Sequence, residues 1–437
     1  MKLRNLLVAG ALGALAFAGA VIAQPVLTRV QQINSNDLFQ DIVNGVPQAE
    51  SQYAPASLLG NYSATLSGNN PENALIGGDA TTNLWQRATT GASVTTTFTY
   101  GGPDRWGYWS GASTATTLSR TSVAADLPAA LTYKYGFKLA RTSGETGVVQ
   151  VCMLQALETV NSLQFSGQTA EIDFHATAGA TFTGANSVMT AYLVSGTGTD
   201  ESAAKAAYTV NAGGGGTPGF TGGVATGVNV TIGTVNQRYS VAIPVPSGAT
   251  QVAVALCWTP VGTAGANDYI AFSGIQLTRN SALTAAAGTA GVALNANDSR
   301  AKTFARRSQG LETLLQYRYT YIVAEGATLI PRFVGHATTA GAGDGAGRLV
   351  FPVVFPVTMR VAPTMTYAAG FAGFTTTAET TATNCSALAA ATSITYVVST
   401  QQAMALCSLT SSTIAVGLSM TIADNNGSGK ITASAEL

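Results

Sequence analysis

Charge is what this sequence has least of. Only 10% of its 437 residues are Asp, Glu, Lys or Arg, against about 25% in an average soluble domain. Acidic and basic residues balance at 21 each. A nucleic-acid-binding face needs clustered basic residues, and a typical cytosolic enzyme carries more charge than this chain. The composition therefore argues against nucleic acid as a partner.

Residues for catalysis are also scarce. The two histidines, His175 and His336, lie in separate parts of the chain, and no Gly-x-Ser-x-Gly, HExxH or GxxxxGK[ST] motif occurs. In EIDFHATA, strict alternation places Asp173 and His175 on one face of a strand, opposite Ile172 and Phe174. That pattern indicates a solvent-facing histidine rather than a catalytic one. We expect no enzymatic activity.

Cysteines number four, and none forms a CxxC motif, so a zinc site is not expected. An even count, together with the export signal described next, favours disulfides, although four cysteines allow three connectivities. The candidates are Cys152 and Cys257, both in strand-like stretches, and Cys385 and Cys407, which flank the strand-like ITYVV. Four buried free thiols are the alternative if the protein is assembled inside a cell.

Only one long apolar run is present, and it lies at the N-terminus. MKLRN precedes LLVAGALGALAFAGAV, and small residues end at Ala23 before Gln24, which is the pattern of a secretory signal peptide. Residues 1–23 are therefore predicted to be cleaved near Ala23. The alternative is that they form a packed contact in an assembled stalk.

The rest of the sequence reads as short strands separated by Gly, Ser and Pro clusters. The predicted fold is all-β, with a jelly-roll sandwich, a short helical linker and a second C-terminal β-sandwich. The predicted boundaries are an extended attachment arm at 24–70, the jelly roll at 71–280, a linker with a short helix at 281–318 and the C-terminal β-sandwich at 319–437. This composition suits extracellular or virion proteins.

Aromatic residues make up 8% of the chain, yet DRWGYWS places three rings in four positions. In a strand, Trp106 and Tyr108 share one face and Trp109 lies on the other. Trp106 and Tyr108 are predicted to be core residues, because large rings supply much of the buried area of a sandwich. Trp109 is either covered by the N-terminal arm or a neighbouring subunit, or exposed as a stacking surface.

Six stretches occur in an order that resembles a known group: NALIGGDATTNLWQR with DRW, YGFKLARTSGETGVVQVCMLQALE, LVSGTGTDES, LCWTPVGTAGANDYIAFSGIQL, RRSQGLETLLQYRY, and MRVAPTMTY with the final ITASAEL. The sequence resembles the tail-fibre and minor structural proteins of tailed phages that contain a jelly roll like that of carbohydrate-binding modules. The similarity extends over residues 72–437. The N-terminal apolar segment departs from that pattern.

The resemblance implies a protein of the virion surface or tail, assembled as a homotrimer with other virion proteins and contacting host-surface glycans. Trp109, Tyr192 and Tyr239 are the aromatic residues expected at a glycan-binding face. No cofactor is expected beyond a structural Ca²⁺, for which Asp79 and Asp268 are the implied equivalents.

Two other functions follow from the same residues. A secreted or surface-anchored bacterial adhesin with these β-domains would explain the signal-like start. A glycan-degrading enzyme would require a carboxylate pair in a groove, and the sequence identifies none.

Overall fold

The computed structural model describes residues 73–437 except 92, 94–96, 112–114, 130–132, 212–218, 296–297, 303, 325–330, 339–347, 369–370, 376–382, 388–398, 410–418 and 425–429. The predicted signal-like segment at 1–23 and the attachment arm at 24–70 lie outside these described residues. The described chain belongs to one compact unit, Asn70–Leu437.

Eleven of the described strands build two antiparallel sheets. Their bounds are β1 (Gly107–Ser110), β2 (Thr116–Thr121), β3 (Gly136–Arg141), β4 (Val151–Ala156), β5 (Thr169–Ala178), β6 (Val188–Gly196), β7 (Val224–Thr231), β8 (Gln237–Pro244), β9 (Gln251–Trp258), β10 (Tyr269–Arg279) and β11 (Val292–Leu294). One sheet has the order β1-β4-β9-β6-β7 and the other β11-β8-β5-β10-β3-β2. The all-β sandwich is thereby confirmed.

The core lies between the two sheets. Alternation along β5 turns Ile172 and Phe174 inward, while β1 contributes Tyr108 and the preceding Trp106. Trp106 and Tyr108 are both fully buried, as their shared face predicts. The prediction that both rings are core residues is therefore confirmed.

Four short α-helices occur among the described residues: α1 (Thr159–Ser162), α2 (Ala203–Val210), α3 (Thr284–Ala287) and α4 (Gln309–Tyr317). Helix α4 is the one predicted from RRSQGLETLLQYRY. The Ser308 side chain caps it by accepting a hydrogen bond from the Leu311 N–H. Gly310 lies in the first turn, so it does not interrupt the helix.

The predicted linker at 281–318 contributes a strand and a helix that hydrogen bond to the sandwich. Strand β11 pairs antiparallel with β8 and extends the six-stranded sheet. In α4, Glu312 accepts from the Gly77 N–H, and Gln316 accepts from the Leu84 N–H at 2.8 Å. The boundary at 280 is corrected accordingly, because groups beyond it complete the hydrogen bonding of the sandwich.

The remaining described strands are β12 (Thr320–Ala324), β13 (Pro331–Thr338), β14 (Arg348–Val354), β15 (Thr364–Ala368), β16 (Phe371–Thr375), β17 (Thr383–Ala387), β18 (Gln402–Leu409), β19 (Ser419–Asp424) and β20 (Lys430–Ser434). Six of them close on themselves in the order β13-β14-β18-β17-β16-β19, and β12-β20-β15 form a separate sheet. The C-terminal β-domain thus contains a closed six-stranded barrel, whereas the sequence predicted two layered sheets. Across the described part of the chain, no helix has the length and apolarity needed to cross a membrane.

Candidate ligand-binding face

The outer face of the five-stranded sheet carries the aromatic residues that the sequence singled out. Along β6, Met189, Ala191 and Leu193 point into the core. Thr190 and Tyr192 therefore lie on the opposite, outward face. Part of that face is covered by the chain itself and part is open.

Helix α2 covers one part of the outer face. Ala203, Ala206 and Ala207 pack there in a second apolar cluster that includes Trp109 and Phe220. Trp109 is 1% exposed, and its ring meets Tyr208 of α2 edge-on, with centroids 6.2 Å apart. Trp109 is thus not an exposed stacking surface, which corrects that expectation. The small alanine side chains let the helix approach closely enough to bury the indole.

The Cys152–Cys257 disulfide lies in the same cluster and joins β4 to β9 at directly opposed positions. Cys385 and Cys407 lie in β17 and β18. Their side chains are outside the described part of the structure.

Tyr192 occupies the open part of the face. A Cβ at position 227 would lie 2.5 Å from a ring carbon of Tyr192, so Gly227 lets the ring lie directly on β7. The Gln150 side-chain amide donates to the Tyr192 hydroxyl at 3.2 Å and fixes its end. Tyr192 is half-buried, and the neighbouring Gly227 is exposed. The ring is therefore held in place with part of its surface toward solvent.

Polar groups flank this ring. The Thr190 hydroxyl donates to the Asn229 side-chain oxygen at 2.9 Å, and Asn229 is exposed. The Asn229 amide retains two N–H donors. An aromatic ring bordered by amide and hydroxyl groups is the chemistry of a site for a hydroxyl-rich ligand.

Tyr239 does not belong to this face. It lies on β8 with its ring in the main core, is 8% exposed, and stacks on Phe174 with ring centroids 5.8 Å apart. Its place in the predicted glycan-binding set is therefore corrected. Alternation along β8 turns Tyr239 inward together with Val241.

The two aspartates assigned to calcium are each paired with an arginine. Asp268 lies 2.7 Å from Arg141, with both side chains fully buried, and it also accepts from the Thr183 hydroxyl. Asp79 lies 2.6 Å from Arg306. Both carboxylates are thus already paired with a guanidinium, and a calcium role for them stays a prediction. Within the described ranges, no group of three His, Cys, Asp or Glu residues is arranged to hold a metal.

The outer face of the six-stranded sheet is polar and largely covered. Asp173 is fully buried and lies 2.6 Å from Arg238, which also donates to the Lys302 carbonyl. Gln276 binds the same carbonyl and accepts from the Ala305 N–H. Lys302 and Ala305 thus lie against this face, held by side chains of the sheet.

Burial shifts the titration of two residues on this covered face. It raises the pKa of Asp173 to about 7, although Arg238 acts in the opposite direction. Burial and then Arg238 lower the pKa of His175 to about 4. His175 packs near Tyr133, with ring centroids 6.3 Å apart. The predicted solvent-facing histidine is therefore partly covered, because the Tyr133 ring packs near it.

A buried ion network joins the sandwich to the end of the chain. Glu436 contacts Arg105 at 2.5 Å and Arg87 at 3.0 Å, and Arg105 stacks on Tyr319 at 3.7 Å from the ring centroid. Although burial opposes ionisation, these guanidinium groups hold the pKa of Glu436 below its usual value. Burial raises the pKa of the adjoining Asp104 to about 6. A strand pattern does not reveal this network, because Glu436 is more than 300 residues from both Arg87 and Arg105.

No family model matches the sequence, and no curated protein matches it. Among solved structures, similarity is found to the enzymatically active domain of bacteriophage CBA120 tailspike protein 4, with 13% identity and a TM-score of 0.27. That match covers 48% of this chain and 22% of the tailspike structure, so it spans about a fifth of that protein.

Two carbohydrate-binding modules are also similar. TmCBM61, solved with beta-1,4-galactotriose, has 12% identity and a TM-score of 0.23 over 40% of this chain and 88% of the module. A CBM4 has 15% identity and a TM-score of 0.20 over 33% of this chain and 70% of the module. At such TM-scores these likenesses carry no argument about the ligand or activity of this chain.

Proposed function

We propose that this protein is a non-enzymatic structural protein of a virion surface, a fibre or decoration, whose sandwich binds glycans of the host surface. The observation that carries the glycan proposal is the Tyr192 ring, which lies against Gly227 and is bordered by Gln150, Thr190 and Asn229. A flat aromatic ring packs against the apolar C–H face of a pyranose. Amide and hydroxyl groups beside it satisfy the sugar hydroxyls.

Such a site binds weakly, and repetition compensates for the weakness. One ring with a few hydrogen bonds supports an affinity on the order of 1 mM, about 4 kcal/mol. Several copies displayed on one particle raise the effective affinity, because the second binding event becomes intramolecular. A fibre or decoration protein provides that multivalency.

The experiment compares two variants of the same face. Tyr192→Ala removes the ring, and Gly227→Ala keeps the ring but places a Cβ where its edge now lies. Both are expected to abolish glycan-array and host-cell binding while leaving circular dichroism unchanged. Tyr317→Ala is the matched control and should bind normally, since Tyr317 is a half-buried tyrosine that lies in α4 and packs on Tyr321 rather than on this face. Normal binding by both face variants would refute the site.

Three carboxylates of the sandwich support the proposal that the protein is not an enzyme, because each already binds other side chains. Glu158 binds Arg318 at 3.0 Å, and Asp173 binds Arg238. Glu171 accepts from the Ser240 hydroxyl at 2.9 Å and from the Asn280 amide at 2.7 Å. Each of these carboxylates is engaged by a neighbouring side chain, whereas a glycosidase requires two carboxyl groups facing one groove. Incubation with the bound glycan should therefore release no reducing ends.

The virion role is tested on particles. Mass spectrometry of purified particles should detect peptides of this chain. Sedimentation should give the mass of a homotrimer of the 44.4 kDa subunit. A low surface charge favours such association. A single-subunit mass at micromolar concentration would contradict the trimer.

One observation favours a second candidate, a secreted or surface-anchored adhesin. The Cys152–Cys257 disulfide is the kind of bond that forms and persists in oxidising compartments. If the adhesin is correct, the mature protein should begin at Gln24 and be found at the cell surface with this disulfide formed. An intact Met1 inside purified particles would favour the virion protein instead.

A further inference from the structure

The two sheets of the sandwich differ completely in charge. The five strands of the sheet that carries Tyr192 read GYWS, VCMLQA, VMTAYLVSG, VATGVNVT and QVAVALCW, with no Asp, Glu, Lys or Arg. Five strands of the opposite sheet, β2, β3, β5, β8 and β10, each contain at least one charged residue. The absence of charge is therefore specific to the sheet with the open aromatic face.

The one charge that helix α2 brings to this face is paired. Helix α2, which lies on the face, contains one charged residue, Lys205, and its ammonium binds Glu201 at 2.7 Å. Glu201 also accepts from the Thr221 N–H and hydroxyl. The pair is neutral overall, so it leaves no net charge to attract an ionic ligand.

This distribution decides which ligands the face can hold. An ionised group brought onto it would lose water without gaining an opposite charge, which is unfavourable. A neutral sugar loses only hydrogen bonds that Gln150, Thr190 and Asn229 can replace. We infer that the Tyr192 face selects uncharged glycans, such as neutral hexose or pentose polymers, over glycans that carry carboxylate, sulfate or phosphate groups. This inference rests on the proposed glycan binding.

Another aromatic ring of the sandwich, that of Tyr135, has positively charged side chains beside it. Arg120 and Lys134 both lie over the Tyr135 ring, at 4.1 and 5.3 Å from its centroid. Neither forms an ion pair with a carboxylate among the described residues. Acidic polymers that bind this protein are therefore expected at Tyr135 and not at Tyr192.

The test measures binding of the full chain to neutral polymers (galactan, xylan, mannan) and to carboxylated ones (alginate, polygalacturonate) at low and high NaCl. Neutral polymers should bind with a dissociation constant that changes by less than about twofold between low and high salt, because no ion pair is screened. Tyr192→Ala should abolish that binding. Asn229→Lys, at an exposed position, should add salt-sensitive binding to the carboxylated polymers.

The outcomes separate the inference from the proposal beneath it. Tighter binding of carboxylated than of neutral polymers, lost in Tyr192→Ala, would overturn the selection while leaving glycan binding intact. No binding of either class would overturn both. Acidic binding that survives Tyr192→Ala but is lost in Arg120→Ser/Lys134→Ser would support the assignment, provided that neutral polymers bind at Tyr192.

Discussion

At the scale of single residues, two aromatic side chains of one sheet face have different surroundings. Trp109 and Tyr192 both point outward from the five-stranded sheet, but helix α2 covers only the first. Burial by a helix that is distant in sequence turns Trp109 into a core residue. Tyr192 stays partly exposed to solvent.

Trp109→Ala is accordingly expected to destabilise the fold rather than to weaken attachment alone. Removing a fully buried indole leaves a cavity beneath α2 and should lower the free energy of unfolding by about 3–5 kcal/mol. Urea denaturation followed by circular dichroism measures the change. Tyr192→Ala is the control, with a much smaller loss because its ring is half-exposed. Equal stability of Trp109→Ala and the wild type would return Trp109 to the binding face.

His175 predicts a pH dependence of stability. Its pKa in the folded protein is lowered to about 4 by burial and by Arg238, below the ordinary value of 6.5. The folded state therefore disfavours the protonated ring, so this contribution is fully present above pH 6.5 and is lost as the pH falls toward 4. Asp173, with its raised pKa, acts in the opposite direction over the same range.

The His175 contribution is isolated by difference. The stability of the wild type minus that of His175→Gln should fall between pH 6.5 and 4, measured by denaturation at each pH. The glutamine keeps a polar group that does not titrate. A difference that stays constant over this interval would show that the histidine is protonated equally in the folded and unfolded states.

At the scale of elements, the disulfide joins two central strands of one sheet. Cys152 and Cys257 are 105 residues apart in sequence. Closing a loop of that length removes unfolded-state entropy worth about 4–5 kcal/mol in the chain-entropy description. We expect Cys152→Ala/Cys257→Ala to lose several kcal/mol of stability and to become insensitive to reductant. An unchanged denaturation midpoint would contradict this expectation.

The Tyr192 face should be affected by that double variant, since Tyr192 packs against the cluster that contains the disulfide. Helix α2 illustrates the same dependence between elements. The sequence shows that its alanines are apolar, but only the structure shows that they pack over Trp109.

At the scale of the whole molecule, the end of the chain completes the sandwich. The Arg105–Glu436 pair is buried, and Arg360 donates to the Ala435 and Glu436 carbonyls. A fragment 73–280 loses these groups together with α4 and β11. We expect this fragment to be unfolded by circular dichroism, whereas 73–437 should fold. That result would show that the sandwich does not fold independently with a boundary at 280.

A single substitution tests the same link in the full chain. Glu436→Gln leaves the Arg105 guanidinium buried without its counter-charge and should cost about 3–5 kcal/mol of stability. Asp298→Asn is the control, because its pair with Arg300 is on the surface, and no measurable change is expected. If both variants unfold at the same denaturant concentration, the buried pair is not a major contributor.

The homotrimer, the attachment arm at 24–70 and the fate of residues 1–23 stay predictions. They concern contacts with other molecules or residues outside the described part of the chain.

The sequence by itself determined the fold class and the core. Alternation of apolar and polar residues specifies which side chain of a strand faces inward, so Trp106, Tyr108, Ile172 and Phe174 could be placed without coordinates. The same rule placed Trp109 on the opposite face of its strand, but it could not show whether that face is exposed. Whether an outward ring is covered depends on what packs over it, and α2 is nearly 100 residues from Trp109. The tertiary structure alone decided that Trp109 is buried and Tyr192 open, that Asp79 and Asp268 face arginines, and that Glu436 returns to Arg105. These contacts join distant segments, whereas a strand pattern records only local periodicity.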